Sequence, residues 1–135
     1  MIHFDSSFVI DLHREIAKER PGDALSFIES LDANEILCVS VHVLCELRAG
    51  AELARHPLRE HELVDDLIGS FAVSYPDDRF APAYARLFAA TTRSRQPVEA
   101  FDLLIATAAI LDNAPLVTRN IKHFSRVPGL RVLGY

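Results

Sequence analysis

Phe101-Asp-Leu-Leu-Ile-Ala-Thr-Ala-Ala-Ile-Leu111 is the most apolar helical stretch of the chain, and its reading decides the fold. Steps of three and four from Asp102 reach Ile105, Ala106 and Ala109, a stripe of mostly small apolar residues. Small residues let a helix lie close to a sheet, so this helix is expected to be central and its first turn firmly held. A carboxylate, Asp102, stands on that stripe. One reading makes it an N-terminal cap that satisfies free backbone N–H groups and suits the helix dipole. The other makes it a carboxylate held at the mouth of the core for chemistry. The helix alone leaves both open.

Outward from it, short continuous apolar runs alternate with helical patterns. Ile2–Phe4, Ile36–Val39, Phe71–Val73, Leu116–Thr118 and Leu130–Leu133 read as strands, the last at an edge. Between them the pattern predicts helices from Phe8 to about Glu19, from an Asp23 cap to Leu31, and from a Ser40 cap to about Arg55. Pro57 is expected to start another, with Leu58, Leu63, Leu67 and Ile68 facing inward. A helix after Asp77-Asp78 runs to Arg95 with Phe80, Tyr84, Leu87 and Phe88 on one face. After the central helix, Asn120 is expected to cap a short one ending at Phe124. Strands separated by such helices make a parallel sheet covered on both faces, an α/β class fold. Parallel sheets carry their sites at the carboxyl ends of the strands, which puts Asp5 and Asn120 at one edge.

The 135 residues suffice for one domain with a real core, spanning the whole chain, and are too few for two ordinary ones. Half the residues are hydrophobic and a quarter charged, a globular composition. The apolar runs fall short of the ~20 residues that span a bilayer. No basic, apolar leader precedes the first strand, so a cytoplasmic protein without membrane association is expected. Cys38 and Cys45 lie in an apolar run and read as two buried thiols, and no Cys or His spacing suggests zinc. A formal charge of −5 argues against a general nucleic-acid coat protein, which would be basic overall. It leaves room for a nucleic-acid enzyme whose acids hold a cation and whose basic residues act locally.

Three acids stand out from the solvated ones. Glu46 lies in Val39-Ser-Val-His-Val-Leu-Cys-Glu-Leu47 with little polar company, and a carboxylate buried there is costly unless paired or metal-bound. It reads either as such a group or as a half-exposed partner of Arg48 or Arg55. Asp5 opens Asp5-Ser-Ser7, which is also an ordinary strand-to-helix cap. If Asp5, Glu46 and Asp102 converge, each close pair repels by roughly 4 kcal/mol at 4 Å and an effective dielectric near 20. A divalent cation with oxygen preference removes that penalty, and Mg²⁺ suits a sparse carboxylate site with room for water and phosphate, with Mn²⁺ as the second choice.

Taken in order, Asp5-Ser-Ser7, Ser40 to Glu46-Leu47 with Gly50, Asp102-Leu-Leu-Ile-Ala106, Leu116-Val-Thr-Arg-Asn120 with His123-Phe124, and Val127-Pro-Gly-Leu130 resemble a PIN-domain ribonuclease, specifically the VapC-type toxins of toxin–antitoxin pairs. The resemblance covers the whole chain. It implies a three-layer α/β/α sandwich around a short parallel sheet, and Mg²⁺-dependent endonucleolytic hydrolysis of RNA. The family's metal-binding acids fall on Asp5, Glu46 and Asp102. Its fourth catalytic position, Asp in some members and Asn in others, falls on Asn120, where an amide adds no charge. Thr118 would assist Asn120 in positioning water and phosphate, and Arg48, Arg119 and Lys122 read either as contacts to the RNA backbone or as solvated surface. A homodimer is implied too, and a cognate VapB-type antitoxin whose C-terminal segment fills the acidic groove.

Two other classes compete. A non-catalytic RNA- or antitoxin-binding PIN module would keep the fold without turnover, and metal titration separates it. A receiver-like or dehalogenase-like phosphoryl-transfer domain would need paired acids or Asp-x-Asp after the first strand, and Asp5-Ser-Ser7 supplies neither.

Overall fold

Five short strands order themselves β3-β2-β1-β4-β5, and every neighbouring pair runs parallel. They are β1 (Ile2–Phe4), β2 (Leu37–Ser40), β3 (Ala72–Ser74), β4 (Leu116–Val117) and β5 (Val132–Leu133), in a computed structural model that describes residues 1–135. From β1 the chain winds one way to β2 and β3 and then returns to place β4 on the other side. This is the order of a doubly wound sheet, and the crevice where the winding reverses lies between β1 and β4.

The helices are α1 (Ser6–Ala17), α2 (Asp23–Ser30), α3 (Val41–Glu52), α4 (Pro57–Ile68), α5 (Phe80–Arg93), α6 (Ala100–Leu111) and α7 (Ile121–Phe124). They cover both faces of the sheet, which is why β1 and β4 are buried along their full length. Phe4 projects to one face and packs tilted against Phe8 of α1 at 4.5 Å and edge-to-face against Phe27 of α2 at 6.2 Å and Phe71 at 5.6 Å. Its chain neighbour His3 projects to the opposite face. There α6 is the central element, as its composition implied: Leu103, Ile105, Ala106, Thr107, Ala108 and Ala109 are all buried. No helix is long and apolar enough to cross a membrane.

Several local expectations need correction. Asp23 does not cap α2. The N-cap position is Gly22 with no side-chain bond, and the Glu15 carboxylate of α1 accepts the N–H groups of Gly22, Ala24 and Leu25 at 2.8–3.0 Å. Helix α1 begins at Ser6 and not Phe8, because the Asp5 side chain caps it by accepting from Phe8 N–H. Leu58 does not face inward: at the first turn of α4 it overhangs the body and is 83% exposed. Phe88 is half exposed and stacks only on Tyr84, a turn away. Of the two thiols Cys38 is buried, but Cys45 is exposed on the outer face of α3. Asn120 occupies the N-cap position of α7 without making a capping bond through its side chain.

Candidate active site

At the end of β1 the chain turns outward, and Asp5 is left at the β1/β4 crevice, 5% exposed. Its backbone is extended, with φ −87° and ψ 176°, which frees the carboxylate to cap α1. One oxygen accepts from Phe8 N–H at 3.1 Å and from the Ser7 hydroxyl at 2.7 Å. The other accepts a short bond from the hydroxyl of Thr118, the buried residue following β4. Thr118 in turn accepts the Asn120 N–H at 2.9 Å, and Ser7 accepts the Arg119 N–H at 3.3 Å. The loop after β4 is thus stitched to the loop after β1 through this carboxylate. Asp5 caps α1 and still lies at the crevice, so the capping role does not exclude the other reading.

Asp102 is not an N-cap. The cap position belongs to Glu99, and Asp102 sits within the first turn of α6, half-buried. Its carboxylate lies 2.9 Å from His123 Nε2 on α7. Burial pushes its pKa above the usual carboxylate range, His123 pulls it down through its charge and hydrogen bond, and Glu99 and Asp5 push it up again. The net direction is upward.

Glu46 is the least supported of the acids. Neither Arg48 nor Arg55 pairs with it. Arg48 is engaged by Asp65 and by the ring and carbonyl of His61, and Glu46 itself makes no hydrogen bond or ion pair. Burial raises its pKa first, then the charges of Asp102, Asp5 and Glu99, to about 7. Asp5, Glu46 and Asp102 therefore lie close enough to feel one another's charge. Three mutually repelling carboxylates, offering oxygen donors only, suit a hard divalent cation such as Mg²⁺ or Mn²⁺. Asn120 is exposed, tied through its backbone to the Thr118 hydroxyl that holds Asp5, and free at its side chain.

The cations divide differently from the expectation. Arg48 is tied to α4, and Arg119 is held by Asp11 at 2.9 and 3.1 Å. Lys122 makes no ion pair, and with Arg95 and Arg126 it lines a polar cleft of about 450 Å³. His123, next in the chain to Lys122, reaches the acidic centre, so cleft and centre share α7. Arg95 and Arg126 escaped the sequence reading, because they come from separate loops and carry no spacing that joins them. The pairing of His123 with Asp102 was visible only as a His in a short terminal helix. On the other side of the centre, Glu46 borders an apolar cavity of about 430 Å³ between α1, α3 and α4. A second of about 410 Å³ continues it, sharing His13, Leu63 and Leu67.

Comparison with known proteins agrees with this architecture. The PIN domain family profile matches residues 2–130. A tRNA(fMet)-specific endonuclease VapC from Salmonella typhimurium is 32% identical over 96 residues, covering 71% of this chain and 73% of that protein. Ribonuclease VapC2 from Rickettsia felis is 29% identical over 112 residues, 83% of this chain and 84% of its own. Among solved structures, VapBC2 from Rickettsia felis bound to a promoter DNA fragment superposes with a TM-score of 0.87 at 25% identity, covering 100% of this chain and 99% of that one. VapBC-1 from nontypeable Haemophilus influenzae gives 0.87 at 27% identity, with 99% and 98% covered.

Proposed function

The chain belongs to the PIN domain family, and on that premise we propose that it is an endoribonuclease, the toxin of a toxin–antitoxin pair. The observation that supports the reading is the mutual closeness of Asp5, Glu46 and Asp102, where burial first and then the charges of Asp102 and Asp5 raise the pKa of Glu46 to about 7. The relatives that share the fold are ribonucleases and endonucleases by name, and the solved neighbours are toxin–antitoxin complexes.

The roles follow from the contacts. Asp5 and Asp102 would hold Mg²⁺ or Mn²⁺ directly, and Glu46 through a water or by orienting the nucleophile. When bound, such a cation lowers the pKa of water and neutralises charge on the phosphate undergoing displacement. Thr118 fixes the Asp5 carboxylate and the backbone of Asn120, and the Asn120 amide, its hydrogen-bonding capacity unspent, would position water and phosphate. His123 orients Asp102. Lys122, Arg95 and Arg126 supply the local positive surface that an acidic protein needs to engage an RNA backbone. The apolar cavities that end at Glu46 suit the C-terminal segment of a VapB-type antitoxin, and a homodimer is part of the same proposal.

The test is cleavage of total RNA by the purified chain in Mg²⁺ and in EDTA, beside Asp102→Ala. Cleavage in Mg²⁺, none in EDTA, and a loss of at least about 100-fold in the variant are expected; a general acid–base or metal-ligand role is worth that much or more. Asp102→Ala cutting at near wild-type rate would remove Asp102 from the chemistry. No cleavage by the wild type under any divalent cation would leave the non-catalytic binding module.

A further inference from the structure

Away from the acidic centre, a second group of ligating side chains closes up on the α6 face of the sheet. The parallel register pairs His3 of β1 with Cys38 of β2, so both side chains leave the same face. The last turn of α6 then delivers Asp112 to them, and one ligating atom of each residue lies within 4.8 Å of the other two. His3 is fully buried and Cys38 nearly so, while the Asp112 side chain keeps 25% exposure, leaving one open side.

The polar connections here are incomplete. His3 Nε2 is 2.7 Å from Asp112 Oδ2, which also accepts the Ser74 hydroxyl at 2.9 Å. His3 Nδ1 is buried without a partner, and the Cys38 sulfur is held only weakly, by a long 3.7 Å contact to the Val39 carbonyl and by the Ser74 backbone. Beside Asp112 and Ser74 is a cavity of about 30 Å³, room for a water. His42, whose own Nδ1 is buried and unpartnered, lines it. Three ligating groups of different chemistry, gathered from three elements and left partly unsatisfied, are costly in a core unless something completes them.

We propose that His3, Cys38 and Asp112 form a second metal site, selective for Zn²⁺, whose fourth position is taken by water on the open, Asp112 side. The donor set decides the metal: imidazole, thiolate and carboxylate together suit tetrahedral zinc, whereas the oxygen-only acidic centre suits Mg²⁺. His3 is poised as a ligand, because burial lowers its pKa and keeps the ring neutral. Cys38 is the opposite. Burial, and then the charge of Asp112, raise its pKa to about 11, so the free site holds a thiol, and a dication reverses that preference. Binding therefore forms a Zn–S bond and releases the Cys38 proton to solvent. Ser74, donating to Asp112, orients that ligand. The bound ion would clamp β1, β2 and the end of α6, the helix whose first turn carries Asp102.

Sulfur ligation separates this site from the acidic one. Cobalt titration of the full chain, prepared free of metal, is expected to give a thiolate-to-cobalt charge-transfer absorption saturating at one equivalent and bleached by Zn²⁺. Cys38→Ala should abolish it, and Cys45→Ser and Asp102→Asn should both retain it. Absence of the band from the wild type, its persistence in Cys38→Ala, or its loss in Cys45→Ser overturns the proposal. Should Cys38→Ala fail to fold by circular dichroism, Asp112→Asn takes its place. At the open side of the site it is expected to weaken cobalt binding more than about tenfold, and unchanged affinity in that variant equally overturns the site.

Discussion

Glu46 and Asp5 share one crevice but are held in opposite ways. Asp5 receives bonds from Ser7, Phe8 and Thr118, whereas Glu46 receives none and faces burial and three other acids. Its pKa in the folded protein, about 7, lies above its ordinary 4.5, so the folded state binds that proton more tightly than the unfolded chain. The stability this lends is complete below about pH 4.5 and is lost as pH rises through 7. Glu46→Gln should therefore melt with the wild type at pH 4 in EDTA and above it at pH 8. A gain of a few degrees is expected, because ~1 kcal/mol moves the melting point of a domain of this size by roughly 3–6 °C and a half-buried charge is partly screened. An advantage of equal size at every pH would assign the effect to packing. Thr118→Val tests the other arrangement. It keeps the shape but removes a buried hydroxyl that donates to Asp5 and accepts from Asn120. A loss of ~1–3 kcal/mol in urea unfolding is expected, and a change under half a kcal/mol would show that the two loops are held by something else.

Helix α2 shows where a sequence stops being legible. Its pattern of apolar residues predicted a helix, and Asp23 looked like the cap, but the carboxylate that satisfies its first turn is Glu15, seven to ten residues earlier on α1. Capping rules read adjacent residues, so a cap supplied by another helix is invisible to them. Glu15→Ala should destabilise the protein by ~1–2 kcal/mol, at the upper end for a cap because three donors lose their acceptor. Urea unfolding measures it, and a neutral result would mean water replaces the carboxylate at no loss. The same boundary runs through the site. The strands, their parallel arrangement and the edge that carries Asp5 were legible, because short apolar runs between helices admit few topologies. Glu46 and Asp102 were legible as acids standing in apolar stretches. The His123–Asp102 pair, the Arg95–Lys122–Arg126 cleft and the meeting of His3 and Cys38 with Asp112 each join residues far apart in the chain. They depend on helix placement and strand register, which periodicity does not specify. Leu58 failed for a simpler reason: the helical stripe extends past the body it packs against, and its first turn has nothing to cover it.

Over the whole molecule the charge is −5, yet it is not spread evenly. Acids gather at the β1/β4 crevice, and three cations without ion pairs line the cleft that begins beside His123. On the proposed reading an RNA strand is repelled by the acidic surface and drawn to such a cleft, so affinity should reside in few contacts and depend on salt in proportion to them. For single strands, each phosphate neutralised contributes roughly 0.7 to the slope of log K against log salt. Lys122→Ala and Arg126→Ala, measured in EDTA so that no cleavage occurs, should each flatten that slope by about 0.7 and weaken binding to unrelated sequences alike. Arg59→Ala, on the exposed side of α4, should leave the slope unchanged. If all three variants flattened it equally, binding would be diffuse and the α7 cleft would be no more than surface. If only Lys122 and Arg126 do so, the strand enters along α7, and the residue after Lys122 hands it to the carboxylate that His123 holds.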